Sequence, residues 1–234
     1  MVLYSNMRNY AYICILIALI SVPILACQPK PVPAPSTPQP RQIAPQALQY
    51  NNAGVAFAKA GQYEKAIPEF TRAIEADPWY ADAYINRGIA YTSTREEDKA
   101  IADLTRALEI KPNDAGAFNY RGNAYTSKKE YDRAIADYNK ALALDPKYAT
   151  AYNGRGNAYY QRGDHERSIP DYNRAIELAP NYALAYFNRG LANRTLGKKS
   201  DALDDFTRCA EIATDPTMAQ AARFEINETL SRPR

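Results

Sequence analysis

The sequence has few of the residues that usually perform catalysis or bind metals. Histidine and tryptophan each occur once in 234 residues, and the three cysteines, Cys14, Cys27 and Cys209, lie far apart. No spacing of His, Cys, Asp or Glu matches that of a metal site. Outside the positions that repeat along the chain, no nucleophile–base pair and no carboxylate dyad occurs. The sequence therefore predicts no metal, no cofactor and no catalytic site.

The sequence also lacks an excess of charge of either sign. Its 29 lysines and arginines nearly balance 26 aspartates and glutamates, and both kinds are spread along the chain. A nucleic-acid-binding protein needs basic residues clustered on one face. The charge pattern therefore predicts no nucleic-acid partner.

Long apolar runs are absent except near the N-terminus, where residues 11–25 read AYICILIALISVPIL. This run is shorter than the about 20 residues of a transmembrane helix, but it has the length of a secretory signal core. It leads into the sequence ILAC, which resembles the bacterial lipobox that precedes a lipid-modified cysteine. We therefore expect a lipoprotein-type signal peptide at residues 1–26 and lipidation of Cys27. A simple cleaved signal and an uncleaved inner-membrane anchor are the alternatives.

Proline is concentrated directly after the candidate lipidation site. Seven prolines lie between Pro29 and Pro45. Proline lacks a backbone donor and favours the extended polyproline II conformation, so we expect residues 27–46 to be a semi-rigid tether about 50 Å long. A tether behind a lipidated cysteine predicts a domain that faces the periplasm of a bacterial cell envelope, with the outer membrane favoured over the inner one.

From Ala47 to Pro216 the sequence repeats with a period of 34 residues. Each unit has a glycine, an aromatic residue four positions before it, and an alanine or serine twelve positions after it. The apolar positions predict two amphipathic helices in each unit, and prolines end the second helix of the first four units. The repeated glycines are Gly54, Gly88, Gly122, Gly156 and Gly190.

This pattern strongly resembles the tetratricopeptide repeat (TPR). The resemblance implies an all-α solenoid of five helix pairs in a right-handed superhelix, whose first helices line a concave groove that binds other molecules. We expect a C-terminal capping helix and tail at residues 217–234. The predicted units are residues 47–80, 81–114, 115–148, 149–182 and 183–216.

The glycine column needs a packing explanation, because a glycine inside a helix costs about 1 kcal/mol relative to alanine. We expect each repeated glycine to face the alanine column of the second helix, so that the two helix backbones come into contact. The RGNAY and RGIAY motifs that contain these glycines are then structural, not catalytic.

An arginine column and an acidic column follow the same period. We expect each arginine to pair with the acid of the preceding unit, because the first unit has Ala53 in the arginine column. A partly buried charge without its partner is costly, so this ion-pair ladder is predicted to be structural, with ligand binding as the alternative. The arginines are Arg87, Arg121, Arg155 and Arg189, and the acids are Glu69, Asp103, Asp137, Asp171 and Asp205.

Asparagine dominates the positions that the resemblance places in the groove. It is a poor helix former, but its carboxamide donates and accepts hydrogen bonds and thus matches the backbone of an extended peptide. A similar asparagine ladder lines the TPR groove of O-linked N-acetylglucosamine transferase. The alternative is that these asparagines only link neighbouring repeats. The residues expected to contact a partner segment are Asn86, Asn119, Asn123, Asn153, Asn157 and Asn188, with Tyr120 and Tyr160 as aromatic anchors.

The resemblance also excludes one binding mode. TPR clamps for chaperone tails use lysine and asparagine on one first helix, asparagine on the next and lysine or arginine on the third. Here Gly154 and Leu184 stand on the second and third of these helices, so the cationic half is missing and we expect no terminal carboxylate as ligand. The sequence thus predicts a non-catalytic scaffold that binds extended segments of other proteins at the cell envelope. The alternatives are a glycan- or peptidoglycan-binding module that assists a cell-wall or secretion enzyme, and a self-assembling array, that is, a homo-oligomer.

Overall fold

The computed structural model describes residues 41–231, and eleven helices without a strand make up the regular structure of that range. The first ten helices form five consecutive pairs, one pair in each repeat unit, and each pair packs against the next. The predicted all-α array of five helix pairs is therefore confirmed. The helices are α1 (Pro45–Lys59), α2 (Tyr63–Ala76), α3 (Ala81–Ser93), α4 (Glu97–Ile110), α5 (Ala115–Ser127), α6 (Tyr131–Leu144), α7 (Ala149–Arg162), α8 (His165–Leu178), α9 (Ala183–Thr195), α10 (Lys199–Ile212) and α11 (Pro216–Ser231).

The predicted signal peptide at residues 1–26, the lipidation of Cys27 and most of the tether lie outside the described residues. These three features stay predictions. Within residues 41–231, no helix is long and apolar enough to cross a membrane.

The core repeats with the units and continues across the boundaries between them. The second helix of each unit contributes one large side chain that is at most 1% exposed, and in the third unit Tyr138 shares a buried cluster with Ala134, Ala141, Ala151 and Ala158, the last two from the fourth unit. Burying a side chain of this size stabilises the fold by about 1.5–3 kcal/mol. Each unit thus contributes one large buried side chain to a core that it shares with its neighbours. The large side chains are Phe70, Leu104, Tyr138, Tyr172 and Phe206.

The repeated glycines face these large side chains. A Cβ atom on Gly54 would lie 2.5 Å from Cε1 of Phe70, and one on Gly122 would lie 2.8 Å from Cε1 of Tyr138. The expected contact with the alanine column is present at Gly88, where a Cβ atom would lie 3.3 Å from the backbone oxygen of Ala100, but at the other four repeated glycines the nearest atoms are those of the large side chain. The ring lies between the two helices of a pair and takes the space that a side chain at the glycine would need.

The helix α11 packs on α10 and α9, as expected of a capping helix. Ala222 and Thr229 of α11 are buried, and Glu225 forms an ion pair with Arg194 of α9. The other face of α11 leaves Phe224 62% exposed and Leu230 58% exposed. The helix therefore covers the fifth unit while leaving two large apolar side chains exposed.

Candidate functional site

The first helices of the third, fourth and fifth units line a cavity of about 580 Å³. Its walls come from α5, α7 and α9, together with Tyr138 of α6 and the tyrosines that directly precede α7 and α9. Among the described residues that line it, Lys129 alone is charged, and amides, hydroxyls and tyrosines make up most of the rest. The cavity contains six of the eight predicted groove residues: Asn119, Tyr120, Asn123, Asn153, Asn157 and Asn188.

The other two predicted residues lie elsewhere. Asn86 donates a hydrogen bond of 2.9 Å to Oδ1 of Asn51, between the first two units. The ring of Tyr160 lies 4.9 Å from that of His165, and its hydroxyl is 3.4 Å from Oγ1 of Thr195 in the fifth unit. The structure therefore does not bring Asn86 and Tyr160 to the cavity.

Asparagine side chains of neighbouring units form hydrogen-bonded pairs. Nδ2 of Asn188 donates to Oδ1 of Asn153 over 3.0 Å, in the same way as Asn86 donates to Asn51, and in both pairs the partners are 35 residues apart. Such a bond contributes about 0.5–1.5 kcal/mol of net stability. Part of the asparagine pattern therefore links the repeats, which is the alternative interpretation of the sequence.

The pairing is absent between the second and third units, where Ile85 and Tyr120 hold the two positions, and between the third and fourth units, where only the accepting asparagine is present. The residue 35 positions after Asn119 is Gly154, which has no side chain to donate. Asn119 is 4% exposed, and its Oδ1 atom has no hydrogen-bond partner among the described residues. Buried polar atoms are almost always hydrogen-bonded, so this carbonyl oxygen is an exception that needs an explanation.

Tyr138 occupies the place of the missing side chain. A Cβ atom on Gly154 would lie 2.6 Å from Cε1 of Tyr138. The hydroxyl of Tyr138 donates to Oδ1 of Asn123 over 2.7 Å and lies 3.3 Å from Oγ1 of Thr126. Burial raises the pKa of this hydroxyl far above its ordinary value, so it stays protonated and acts as a donor.

Sequence reasoning missed three of the tyrosines that line the cavity. Tyr138 is not among the predicted groove residues, although a tyrosine in a column where three other units have phenylalanine or leucine needs a partner for its hydroxyl. Tyr148 and Tyr182 lie one residue before their helices, at a position that repeats with the 34-residue period. Burial raises the pKa of both hydroxyls, so they too remain neutral. The recurrence of tyrosine before the first helices is the signal that would have found these two.

The arginine column pairs within each unit, not with the preceding one. Nε of Arg121 lies 2.7 Å from Oδ2 of Asp137, and its Nη2 lies 2.8 Å from Oδ1 of the same carboxylate. This hydrogen-bonded carboxylate raises the pKa of Arg121. The predicted pairing with the preceding acid is wrong because residues 16 apart lie opposite each other on the two helices of a unit. The corresponding pairs are Arg87 with Asp103, Arg155 with Asp171 and Arg189 with Asp205.

A neutral oxygen provides the contact of each arginine with the preceding unit. Nη1 of Arg121 donates to Oγ1 of Thr105 over 3.0 Å. Glu69 of the first unit has no arginine of this column beside it and pairs with Arg72 at 2.8 Å. None of the four arginines lines the cavity. The corresponding contacts run from Arg87 to Thr71, from Arg155 to Asn139 and from Arg189 to Asn173.

Family models match most of the five helix pairs. Models described as tetratricopeptide repeat match residues 51–115 and 183–216, and a model described as TPR repeat matches residues 122–163 and 156–197. No curated protein sequence matches the chain.

The chain is also similar to solved structures. A crystal structure of MamA is 27% identical with a TM-score of 0.59, and the match covers 68% of this chain and 92% of that one. A thermophilic TPR protein of Thermus thermophilus, TTC0263, is 17% identical with a TM-score of 0.68, over 79% of this chain and 98% of that one. YrrB, described as a TPR protein with an unusual peptide-binding site, is 20% identical with a TM-score of 0.57, over 76% and 92% of the two chains.

Proposed function

Because the chain belongs to the tetratricopeptide repeat family, we propose that it is a non-catalytic scaffold whose cavity between α5, α7 and α9 binds an extended segment of a partner protein. The family and its structural neighbours are typically scaffolds for protein–protein interaction. YrrB, which has the same fold, is described as having a peptide-binding site. The observation that carries the proposal is the chemistry of the cavity lining.

The lining matches a peptide backbone better than a charged ligand. The oxygens of Asn123 and Asn157 each accept one hydrogen bond within the protein, from Tyr138 and from Gln161. A carboxamide oxygen accepts two bonds and its nitrogen donates two, so these side chains can still meet the N–H and C=O groups of an extended chain. Lys129 is the one charged residue among those that line the cavity. A volume of about 580 Å³ lies within the range of about 300–1,000 Å³ that is usual for ligand sites. The cavity therefore has room for a few residues of a neutral segment.

Selection from a random peptide library tests this proposal. Ten-residue peptides selected on the full-length protein in detergent should bind an Asn123→Ala/Asn157→Ala variant about tenfold more weakly, since two backbone contacts are lost. Asn52→Ala is the matched control, because Asn52 is an exposed asparagine of α1 outside the cavity. The proposal is wrong if no peptide is selected, or if the selected peptides bind the double variant as tightly as the wild type in an anisotropy titration.

A glycan- or peptidoglycan-binding module is the second candidate, and the tyrosines of the lining favour it. Tyr120, Tyr148 and Tyr182 all border the cavity, and tyrosine rings combine an apolar face with a polar hydroxyl. Binding to purified peptidoglycan without another protein, lost on Tyr120→Ala, would support this function over the first.

The proposal includes a lipid-anchored position in the bacterial cell envelope, on the periplasmic side and favouring the outer membrane. It is supported by the apolar run at residues 11–25, by Cys27 after the sequence ILA, and by the prolines that follow. Cells given a radioactive fatty acid should label the wild type and leave the Cys27→Ala variant unlabelled. Equal labelling of the two proteins, or none in either, contradicts the anchor.

A further inference from the structure

We infer that the interruption of the asparagine pairing at Gly154 is a subsite for a side-chain carboxamide, supplied by an asparagine or glutamine of the bound segment. The inference rests on the proposed function, because it names the residue type that the cavity selects. It goes beyond that function, because backbone recognition alone would select no particular side chain.

The pairing in the other units shows what is missing. Between the first and second units, and again between the fourth and fifth, a carboxamide donates to the asparagine 35 residues earlier. Asn119 stands at the accepting position of the third unit, and its Oδ1 is buried without a donor among the described residues. Asn119 and Gly154 both line the cavity. A ligand carboxamide at this place would restore the arrangement seen in the two complete pairs.

The protein cannot close the interruption with a side chain of its own at position 154. A Cβ atom there would lie 2.6 Å from Cε1 and 3.0 Å from the hydroxyl oxygen of Tyr138. The ring cannot move away easily, because a Cβ on Gly122 would lie 2.8 Å from the same Cε1 atom and the hydroxyl is bonded to Asn123. The ring is thus held between two glycines, and position 154 cannot supply the donor for Asn119.

The unpaired Oδ1 of Asn119 also makes the binding of such a ligand more favourable. A buried acceptor without a donor raises the free energy of the unliganded protein, and a ligand that provides the donor removes this penalty. The complete pair of Asn153 and Asn188 borders the cavity beside the interruption and fixes the geometry of the wall there, so little ordering is needed on binding.

The residues around Oδ1 of Asn119 favour a carboxamide over other groups that could donate a hydrogen bond to this atom. Oδ1 of Asn119 is recessed, with Asn119 4% exposed, so the slim end of a side chain reaches it more readily than a backbone N–H with its flanking residues. A carboxylate and an aliphatic side chain have no donor. An ammonium group would enter a cavity whose one charged lining residue is Lys129. The oxygen of a carboxamide can in addition accept from tyrosine hydroxyls such as that of Tyr148.

The experiment uses peptides selected on the wild type and replaces each asparagine or glutamine in turn by leucine and by glutamate. Binding to the full-length protein is expected to fall about tenfold at one position with leucine, and further with glutamate. The Asn119→Leu variant should bind the parent peptide about tenfold more weakly than the wild type does. It should also bind the parent peptide and its leucine version with equal affinity. The control variant is Asn51→Leu, which changes an asparagine pair outside the cavity. It should prefer the parent peptide over its leucine version as strongly as the wild type does.

A second variant keeps the test valid if Asn119→Leu does not fold. Asn119→Asp retains the acceptor and adds a negative charge, so it should prefer a peptide with lysine at the selected position over the parent peptide. Selected peptides without asparagine or glutamine, or peptides whose leucine versions bind equally well, overturn the inference and leave the proposed function standing. If the wild type selects no peptide at all, the proposed function fails and the inference fails with it.

Discussion

Tyr138 and Tyr172 occupy the same position in consecutive units, but their hydroxyls have different surroundings. The Tyr138 hydroxyl bonds to Asn123, whereas the Tyr172 hydroxyl is buried without a partner among the described residues. Burial raises the pKa of both hydroxyls above the ordinary value of 10.0. The first and fifth units have phenylalanine at this position, so the ring alone is sufficient for packing.

We expect the two tyrosine-to-phenylalanine variants to differ in stability at neutral pH. Tyr172→Phe removes an unpartnered buried hydroxyl and should leave the free energy of unfolding unchanged or raise it by about 1 kcal/mol. Tyr138→Phe leaves Oδ1 of Asn123 without its donor and should lower this free energy by about 1 kcal/mol. Urea denaturation measures both. A larger loss for Tyr172→Phe than for Tyr138→Phe would show that Tyr172 has a partner.

The same hydroxyls predict how stability changes at alkaline pH. In the unfolded chain tyrosine ionises near pH 10, while in the folded protein burial keeps Tyr172 protonated to a higher pH. The stability that this group contributes is therefore complete below pH 10 and is lost as the pH rises from there towards the folded pKa, by about 1.4 kcal/mol per pH unit. Tyr172→Phe should reduce the loss between pH 10 and 11, as followed by urea denaturation. Equal losses in variant and wild type would contradict the raised pKa.

At the scale of helices, each arginine of the ladder connects three of them. Arg121 of α5 makes two hydrogen bonds to Asp137 of α6 and one to Thr105 of α4. The side chains of Arg121 and Asp137 are 17% and 8% exposed, so solvent screens the pair little. The ladder therefore fixes the two helices of a unit to each other and to the unit before.

We expect Arg121→Ala to lower the free energy of unfolding by about 3 kcal/mol, because it leaves the Asp137 carboxylate buried without its partner. Arg133→Ala is the matched control: Arg133 is 69% exposed and pairs with Glu130, and such surface pairs contribute about 0–1 kcal/mol. Thermal unfolding of both variants, and of Arg121→Ala/Asp137→Ala, measures the coupling. Equal losses for Arg121→Ala and Arg133→Ala would show that the ladder is not a main stabilising element.

At the scale of the described molecule, residues 42–231 are a row of units, each in contact mainly with its neighbours. The stability of such an array is close to a sum of terms for the units and for the interfaces between them. The helix α11 provides the last of these interfaces, through Ala222, Thr229 and the ion pair of Glu225 with Arg194. Its removal should therefore act locally.

We expect deletion of residues 216–234 to speed amide hydrogen exchange in α9 and α10 by at least about tenfold and to leave α3 and α4 unchanged. The reason is that the fifth unit loses its only C-terminal neighbour among the described helices, whereas the second unit keeps both of its own. Exchange is followed by mass spectrometry. A uniform increase along the chain would mean that the array unfolds as one cooperative unit. Phe224→Ser is the control, since it alters only the exposed face of α11.

The sequence predicted the arrangement of helices well and their side-chain contacts less well. The glycine, aromatic and alanine columns recur with one period because the two helices of every unit pack in the same way, so the columns predicted five helix pairs. The capping helix was predicted from the residues that follow the last unit. The predicted partner was wrong for four of the five glycines, since periodicity does not show whether a ring or a backbone fills the space between two helices. The direction of the arginine pairing was wrong for a similar reason: Arg121 has acids in two units within its period, and only the positions of the helices distinguish them.

The sequence by itself determined the repeat, the helices and the richness of the groove positions in asparagine, because these follow from local periodicity and composition. Only the tertiary structure decided which asparagines are already paired. Asn119 and Asn153 occupy the same column and look equivalent in the sequence, yet Asn153 accepts from Asn188 while the oxygen of Asn119 has no donor in the described chain. The two asparagines differ because the residue 35 positions later is Gly154 in one case and Asn188 in the other, and because the ring of Tyr138 packs against Gly154. Contacts of this kind depend on how whole units stack on one another.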